Sequence, residues 1–452
     1  SSNFSQWTMM SYVGRINYGL MDRYLLTASL RYDGSSRLSE GNKWALFPSA
    51  AIAWRITEED FAKNLDWLSN LKLRFSYGQA GNTNSVSPYA SEGTISGSVY
   101  YPFGTSTSVG NLPANIANPM LTWERTSEYN VGLDFGFLNQ RISGNIEYYN
   151  RTTNDLLMKR NIPVHLGYSS VTSNVGSVRN SGFELQLNTA NIMTKNFAWN
   201  TTINLAYNKN EIVSLADEED LSNYSIHLQG MRGRYSDKRF IGKPVDTNWT
   251  QNTIGVWQLG EEEEAAKYGC VPGNFKIKDY NNDGKLTDDD YIIDGKRTPD
   301  WTGGMTNMFK IYDFDFSFHM YFQAGATQYD RFFENFALEW NSQNFNNLRT
   351  NYWTPENPSN TMGRPSQMGS RGNIAYERTD FLKVSYITLG YTLNKRLMSK
   401  WGLDNARIYV TVQNPFILTK FRGLDPEQPD LTNIGDTDGM TMNALLGVNI
   451  SF

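Results

Sequence analysis

The chain has 452 residues, a formal net charge of −5 at pH 7, 39% hydrophobic residues and 14% aromatic residues. No run of about eighteen apolar residues occurs, which excludes a helical membrane span. The acidic balance offers no basic surface for nucleic acid. The single cysteine, Cys270, excludes an intramolecular disulfide and gives no metal-site spacing.

Alternation of apolar and polar side chains predicts β-strands along most of the chain. In residues 314–323, for example, Phe314 and Phe316 fall on one face, and Asp315 and Ser317 fall on the other. Turn-forming residues separate about thirteen such segments. In chain order the predicted strands lie near residues 8–18, 23–33, 44–57, 71–81, 123–137, 141–152, 173–191, 197–212, 301–312, 314–326, 381–394, 405–415 and 441–452.

The final segment, residues 442–452, continues the alternation to the end of the chain. Met442, Leu446 and Ile450 lie on its apolar face, and the chain ends on the aromatic Phe452. A closed outer-membrane barrel requires such a strand, with lipid on one side and the lumen on the other. We interpret Phe452 as the terminus used in barrel assembly. The alternative is the amphipathic closing strand of a soluble β-sandwich.

The connections between the predicted strands alternate between short and long. Most of the short ones have only a few residues, and two longer exceptions, 58–70 and 395–404, look like brief helical turns. The long ones span residues 82–122, 153–172, 213–300, 327–380 and 416–440. This asymmetry is typical of an outer-membrane barrel with periplasmic turns and extracellular loops. We therefore predict an all-β protein, a transmembrane antiparallel β-barrel.

The sequence also suggests that this chain is part of something larger. It opens directly into strand-like sequence, without the export signal that an outer-membrane barrel needs. Bacterial single-chain barrels have even strand numbers, whereas about thirteen strands are predicted here. We therefore expect an N-terminal portion to precede residues 1–452, which would form the C-terminal portion of the barrel.

Several short motifs, spread from end to end, resemble one family. They are residues 31–37 (RYDGSSR), 73–82 (LRFSYGQAGN), 123–136 (WERTSEYNVGLDFG), 180–184 (NSGFE), 279–290 (DYNNDGKLTDDD) and 299–304 (PDWTGG). Each motif alone is weak, but their order and spacing together are specific. The chain resembles the C-terminal part of the SusC/RagA family of TonB-dependent outer-membrane transporters, which is typical of Bacteroidetes.

The resemblance implies a 22-stranded barrel, of which this chain would form about the last thirteen strands. It also implies a plug domain and a TonB box, neither of which is in this sequence. The implied partners are TonB, outer-membrane lipid and a SusD-like surface lipoprotein that caps the extracellular mouth. Two transporter–lipoprotein pairs are expected to form a dimer. The implied activity is active import of oligosaccharides, or of oligopeptides in some members.

Residues 279–290 fit the D-x-[DN]-x-[DN]-G template of a calcium loop. Asp279, Asn281 and Asp283 would offer side-chain oxygens, and Lys285 would offer its backbone carbonyl. The twelfth position is Asp290 where glutamate is usual, which shortens the last ligand arm. We predict a structural Ca²⁺ or Mg²⁺ site that stiffens the long 213–300 loop. The alternative is a solvated acidic turn.

Ligand contacts are expected from aromatic side chains in the long loops, since they could stack on sugars or clamp apolar side chains of a peptide. The alternative is that they pack the loops against each other or against the lipoprotein. The predicted ligand-contacting residues are Tyr89, Tyr100, Tyr101, Trp249, Trp257 and Trp340. A helix-like stretch near residue 331 in the 327–380 loop is interpreted as a contact with the lid or the partner.

The sequence gives little support for an enzyme. His165, His227 and His319 lie far apart and in no triad-like motif, and no P-loop, GxSxG or HExxH motif occurs. His319 falls on the polar face of a predicted strand and is expected to line the lumen. Two alternatives to an importer remain open. One is a passive porin or a surface adhesion barrel, and the other is a soluble, secreted, glycan-binding β-protein.

Overall fold

A computed structural model describes residues 4–162, 165, 167–168, 170–215, 222–223, 232–234, 239–338, 350–365, 370–394, 398, 402–429 and 440–452. In this part of the chain no helix is both long and apolar enough to cross a membrane.

The main feature of the fold is a 13-stranded antiparallel sheet in which each strand pairs with its neighbours in chain order. The thirteen strands predicted from alternation are confirmed, with ends that differ by only a few residues. The strands are Met9–Leu20 (β1), Tyr24–Ser35 (β2), Trp44–Arg55 (β3), Leu68–Asn82 (β4), Glu124–Phe137 (β5), Ile142–Asn154 (β6), Ser177–Met193 (β7), Phe197–Ser214 (β8), Trp301–Ile311 (β9), Phe314–Ala324 (β10), Phe381–Thr392 (β11), Asn405–Thr419 (β12) and Asn443–Ser451 (β13).

The strand register gives the sheet one apolar and one polar face. On the apolar face Phe322, Leu382 and Leu418 lie side by side on consecutive strands. Large apolar side chains on this face remain exposed, among them Ile52, Tyr148 and Leu446. Such exposure is normal in a membrane barrel, because lipid covers the outer face. The opposite, polar face is the one that faces the lumen in a barrel.

The two ends of the sheet differ as predicted from the connection lengths. One end has tight turns, including the Met21–Asp22 turn, in which both residues have positive φ. A 3₁₀-helix covers Ile56–Glu58 and overlaps the first of the two predicted helical turns, 58–70, only at Glu58. Most of the second, 395–404, lies outside the described residues.

The long loops contain small strand pairs that alternation did not reveal, because most of them have too few residues to show a period. They are Ile95–Phe103 with Ser106–Pro113, Leu157–Asn161 with Ser170–Asn174, Thr247–Gln251 with Tyr291–Lys296, Thr253–Val256 with Phe275–Ile277, and Thr327–Tyr329 with Tyr376–Arg378. Ser222–Asn223, Arg232–Arg234 and Arg239–Phe240 form a small three-stranded sheet. The loop helices in the described residues include Glu262–Lys267, the 3₁₀-helix Asp288–Asp290, Arg331–Phe333 and the π-helical turn Glu334–Leu338.

The buried apolar cores lie at the long-loop end and not within the strand wall. The first core packs Trp123 and Phe47 against Leu38, Val86 and Leu121. A second core lies within the loops and includes Val256, Phe275, Phe333, Leu338 and Trp353. The loops therefore form a packed structure of their own above the barrel wall.

The first and last strands of the sheet each have one unpaired edge in the described part of the chain. All twelve residues of β1 are exposed, and so are eight of the nine residues of β13. Unpaired strand edges present free backbone N–H and C=O groups, which membrane barrels satisfy by closing the sheet.

Candidate functional site

The polar face is held together by side chains that reach over a neighbouring strand. Arg74 of β4 passes over Gly132 of β5 and places Nη2 2.7 Å from Glu147 Oε1 on β6. The same guanidinium also bonds Asp134, at 2.8 Å from Oδ1. A Cβ at Gly132 would come within 2.9 Å of the Arg74 guanidinium. We call this arrangement, in which two side chains meet above an intervening glycine, a glycine bridge.

Two further glycine bridges occur on the polar face. Tyr149 of β6 passes over Gly182 of β7, and its hydroxyl donates a 3.0 Å hydrogen bond to Asn208 Oδ1 on β8. Arg407 of β12 passes over β11 at Gly390, and its Nε donates a 2.8 Å hydrogen bond to Asp315 Oδ1 on β10. A Cβ at Gly390 would lie 2.5 Å from both the Arg407 guanidinium and the Asp315 carboxylate. A larger residue at Gly132 or Gly390 would displace these side-chain contacts, and one at Gly182 would also overlap the backbone carbonyl oxygen of Tyr207.

His319 lies on this polar face, as the sequence predicts. Its Nδ1 is 2.9 Å from the Thr306 hydroxyl oxygen, and its ring stacks on Tyr386 with centroids 5.6 Å apart. Both contacts hold the ring against neighbouring strands of the wall. The geometry agrees with a lumen-lining histidine and offers no support for catalysis.

The 279–290 segment forms a tight acidic loop. Asp279 accepts hydrogen bonds from the N–H groups of Asn282 and Gly284 and from the Tyr268 hydroxyl, at 2.6, 3.0 and 3.0 Å. Burial acts to raise the pKa of Asp279, but these donors hold the pKa below its usual range. Burial and the bond to Asp279 raise the pKa of Tyr268 to about 12. Asp279 is therefore a carboxylate at neutral pH.

Some of the remaining template positions suit a bound cation, and one of them does not. Asn281 and Asp283 each accept the N–H two residues later, at 3.1 and 2.8 Å, so the backbone already follows the turns of such a loop. Gly284 has φ +77°, a value that favours glycine. Asp290 is fully buried, and its carboxylate oxygens accept hydrogen bonds from the N–H groups of Tyr280 and Thr287. In the described residues no three acidic, histidine or cysteine side chains are grouped closely enough to hold a metal.

The predicted ligand-contacting aromatics separate into two groups. Tyr89, Tyr100 and Tyr101 have exposed side chains on the 83–123 loop. Trp249 and Trp257 are only 5% and 3% exposed. Trp340 lies outside the described residues.

The two buried tryptophans have loop partners on their rings. Trp249 packs between Phe240 and Tyr291, with centroids 4.8 and 5.6 Å away, and Trp257 stacks on Tyr268 at 6.0 Å. Their packing matches the alternative interpretation, in which loop aromatics join the loops to each other.

A cluster that sequence reasoning missed joins two of the long loops. Arg422, in the last loop, forms an ion pair with Glu377 and lies 4.1 Å above the Phe333 ring. Next to it, the fully buried Asp330 caps the Arg331–Phe333 helix by accepting the Phe333 N–H at 2.9 Å. The other carboxylate oxygen, Asp330 Oδ2, has no hydrogen-bond partner among the described residues. Burial raises the pKa of Asp330, whereas the Phe333 N–H and the Arg422 charge lower it. The effect of burial is the largest, and the pKa is raised to about 6.

This raised pKa predicts a pH-dependent loop. Asp330 binds its proton more tightly in the folded loop than in the unfolded chain. Its contribution to the stability of the folded loop is therefore fully present below about pH 4. Its ionisation is expected to cost about 3 kcal/mol as pH rises through about 6. Asp330→Asn keeps the capping oxygen and removes the charge, so hydrogen-exchange protection of residues 331–338 should rise at pH 7.5. The exposed Glu356→Gln is the control, and equal protection in all three proteins at pH 7.5 would contradict this prediction.

A known family accounts for this combination of strand wall and loops. Residues 1–414 match the model of the family described as "TonB dependent receptor-like, beta-barrel". The chain is 35% identical over 457 residues to the TonB-dependent receptor SusC of Bacteroides thetaiotaomicron, covering 98% of this chain and 44% of that protein. It is 33% identical over 470 residues to the TonB-dependent receptor P26 of Formosa agariphila, covering 100% of this chain and 47% of that protein.

Solved structures agree on the fold. The structure of the RagAB peptide transporter covers 99% of this chain with a TM-score of 0.78 at 24% identity, and 48% of that chain is matched. The RagAB peptide importer in its "closed-closed" state covers 99% of this chain with a TM-score of 0.76 at 25% identity, again over 48% of that chain.

The chain spans about half the length of the curated relatives it matches. Its relatives are transport receptors of the outer membrane and not enzymes. The chain belongs to the TonB-dependent receptor family and is a SusC/RagA-like outer-membrane β-barrel.

Proposed function

We propose that this chain forms the wall and loops of a TonB-dependent importer that takes up oligosaccharides or oligopeptides across the outer membrane. The observation that supports this most directly is the 13-stranded sheet, with one apolar and one polar face and packed loops at one end. The names of its relatives, SusC and the RagAB peptide transporter, point to the same activity.

In this proposal the unpaired edges of β1 and β13 pair with further strands that close the barrel. A plug domain would fill the lumen against the polar face, where the glycine bridges hold the charged side chains in fixed positions. TonB, driven by the inner-membrane proton gradient, would pull on the plug and let the substrate pass to the periplasm. The outer apolar face would remain in lipid throughout.

A SusD-like surface lipoprotein is the proposed lid over the long-loop end, with two transporter–lipoprotein pairs forming a dimer. The exposed Tyr89, Tyr100 and Tyr101 are better placed to contact a lid or a ligand than the buried Trp249 and Trp257. The Arg331–Phe333 helix buries Phe333 in the loop core. Any contact that this helix makes with the lid would therefore use its outward residues.

The test is native mass spectrometry of the complex extracted gently from its own outer membrane. A co-purifying lipoprotein with extra mass spaced by sugar units would support glycan import. Spacing by amino-acid residues would support peptide import. A barrel that is released alone, with neither lipoprotein nor plug, would favour the passive porin or the adhesion barrel.

We also propose that the 279–290 loop binds Ca²⁺ through Asp279, Asn281, Asp283, Asp290 and the Lys285 carbonyl. Support comes from the preformed turns and the low pKa of Asp279. Binding would require Asp290 to turn from its N–H partners toward the cation.

Calcium is then expected to protect the loop, since a ligand that binds only the folded state stabilises it. Adding Ca²⁺ at about 10 mM, roughly tenfold above the dissociation constants of the weakest extracellular sites, should slow proteolysis within 275–296, and EGTA should reverse this. Asp283→Asn should abolish the effect, whereas Asp313→Asn in the β9–β10 turn should not. Calcium-independent proteolysis of the unsubstituted protein would leave the solvated acidic turn as the better interpretation.

A further inference from the structure

An apolar cavity opens on the polar face where β5 to β8 enter their long loops. Its volume is about 340 Å³. Thr153, Val178 and Ile212 lie side by side across three strands at this level. These positions belong to the face that carries Glu147, Gly182 and Asn208 lower in the wall. Val178 and Ile212 are therefore apolar residues at positions where the rest of the wall is polar.

The loops complete the apolar lining. Leu156, Leu157 and Met158 come from the β6–β7 loop, and Leu215 and Val245 come from the β8–β9 loop. The bordering hydroxyls use their hydrogen-bonding capacity on one another, since the Ser214 and Ser177 oxygens are 2.8 Å apart and the Thr153 and Thr126 oxygens are 2.9 Å apart. A ligand with many hydroxyls would lose its own hydrogen bonds to water against these walls.

Glu124, the first residue of β5, places a carboxylate at the edge of this cavity and is only 6% exposed. It accepts hydrogen bonds from Asn82 Nδ2 at 2.6 Å, the Ser85 hydroxyl at 2.9 Å and the Leu157 N–H at 2.9 Å. These donors, an amide, a hydroxyl and a backbone N–H, are all neutral. A cationic group of a ligand would therefore give this buried carboxylate a charged partner, and pairing with it would be favourable.

Arg239 brings a guanidinium to the same lining, with Nη1 3.7 Å from the Met158 sulfur. The cavity thus combines apolar walls with one carboxylate and one guanidinium. A fatty acid has the apolar chain, but Glu124 would repel its carboxylate. A neutral sugar has neither the apolar group nor the charge. The amino terminus of a peptide has an ammonium for the carboxylate, a carbonyl for the guanidinium, and a side chain for the walls.

We infer that this cavity is a specificity subsite for the first residue of an imported oligopeptide, with its aliphatic side chain against Val178 and Ile212 and its free ammonium at Glu124. The inference rests on the proposed import function and narrows its substrate class to peptides. It also gives the subsite a place on the import path, because the cavity faces the lumen just below the packed loops.

The test uses cells that produce the intact transporter, with labelled pentapeptides that differ only at the first position. A leucine-first peptide should accumulate in preference to a serine-first peptide and to an N-acetylated leucine-first peptide. Val178→Trp, which fills the cavity, should lower uptake of the leucine-first peptide at least tenfold. Glu124→Gln should remove the discrimination against the acetylated peptide. Val131→Trp on the apolar face and Glu58→Gln at a turn are the matched controls.

Heat-dependent mobility on gels establishes which variants fold, and the acetylated and serine-first peptides test the inference on the unsubstituted protein even if a variant does not fold. Equal uptake of all three peptides, or undiminished uptake by folded Val178→Trp, overturns the inference. Uptake of a neutral hexasaccharide but no peptide overturns it while leaving the proposed import function intact. Uptake of neither class by cells with intact TonB overturns both.

Discussion

Replacing Gly182 with valine is expected to abolish folding of the barrel wall. Gly182 lies in the middle of β7, between Tyr149 of β6 and Asn208 of β8. A Cβ there would overlap the backbone carbonyl oxygen of Tyr207 and come within 2.8 Å of the Tyr149 hydroxyl. A clash with backbone cannot be relieved by a rotamer change, so the cost should exceed the ~1–3 kcal/mol typical of overpacking. The heat-modifiable band of the folded barrel should be lost on gels.

Gly14→Val is the matched control, because Gly14 also lies within a strand of the sheet but has nothing within 4 Å of its Cβ position. That variant should retain the heat-modifiable band. A Gly182→Val protein that folds as well as Gly14→Val would show that β7 and β8 do not pair in the register described here.

Replacing Trp123 with alanine is expected to destabilise the long-loop end by about 3–5 kcal/mol, the range for deleting a buried tryptophan. The ring is fully buried, meets Phe47 edge to face at 5.5 Å, and packs with Leu38 and Leu121. Its Nε1 also donates a 3.0 Å hydrogen bond to the Lys43 carbonyl, which would lose its partner. Denaturant unfolding in detergent, followed by tryptophan fluorescence, should show a lower midpoint.

Trp67→Ala provides the comparison. Trp67 stacks on Phe137 at 5.7 Å, but half of its side chain is exposed, at the end of the sheet with the tight turns. Its removal creates little cavity, so the shift in midpoint should be clearly smaller. Equal shifts for the two substitutions would mean that the core around Trp123 does not unfold together with the barrel.

Much of the fold could be predicted from the sequence, because a membrane barrel imposes a strict period on every strand. Phe314 must face lipid and Asp315 the lumen, whatever residues surround them. The alternation of apolar and polar side chains therefore continues through all eleven residues of this strand and can be recognised in the sequence. The small strand pairs in the loops have no such constraint. Thr327–Tyr329, for instance, is three residues long and is defined by its pairing with Tyr376–Arg378, about 50 residues away.

The candidate site was less predictable, because burial in the loops depends on distant contacts. Trp249 and Tyr100 look equivalent in the sequence, yet one is enclosed by Phe240 and Tyr291 and the other is exposed. Asp330 offered no signal, since nothing near it in sequence indicates that its side chain will be buried. Glu124 lay within a recognised motif, but its role depends on the packing of Leu157 and Val178 around it.

The glycine bridges have a consequence for reading evolutionary covariation in such barrels. Asp315 and Arg407 touch although their strands are not hydrogen-bonded to each other, and Arg74 and Glu147 do the same. Substitutions at these pairs should therefore be correlated in related sequences, provided that the intervening residue stays glycine. A contact map inferred from such correlations would place β10 beside β12 and omit β11, giving a barrel one strand too small.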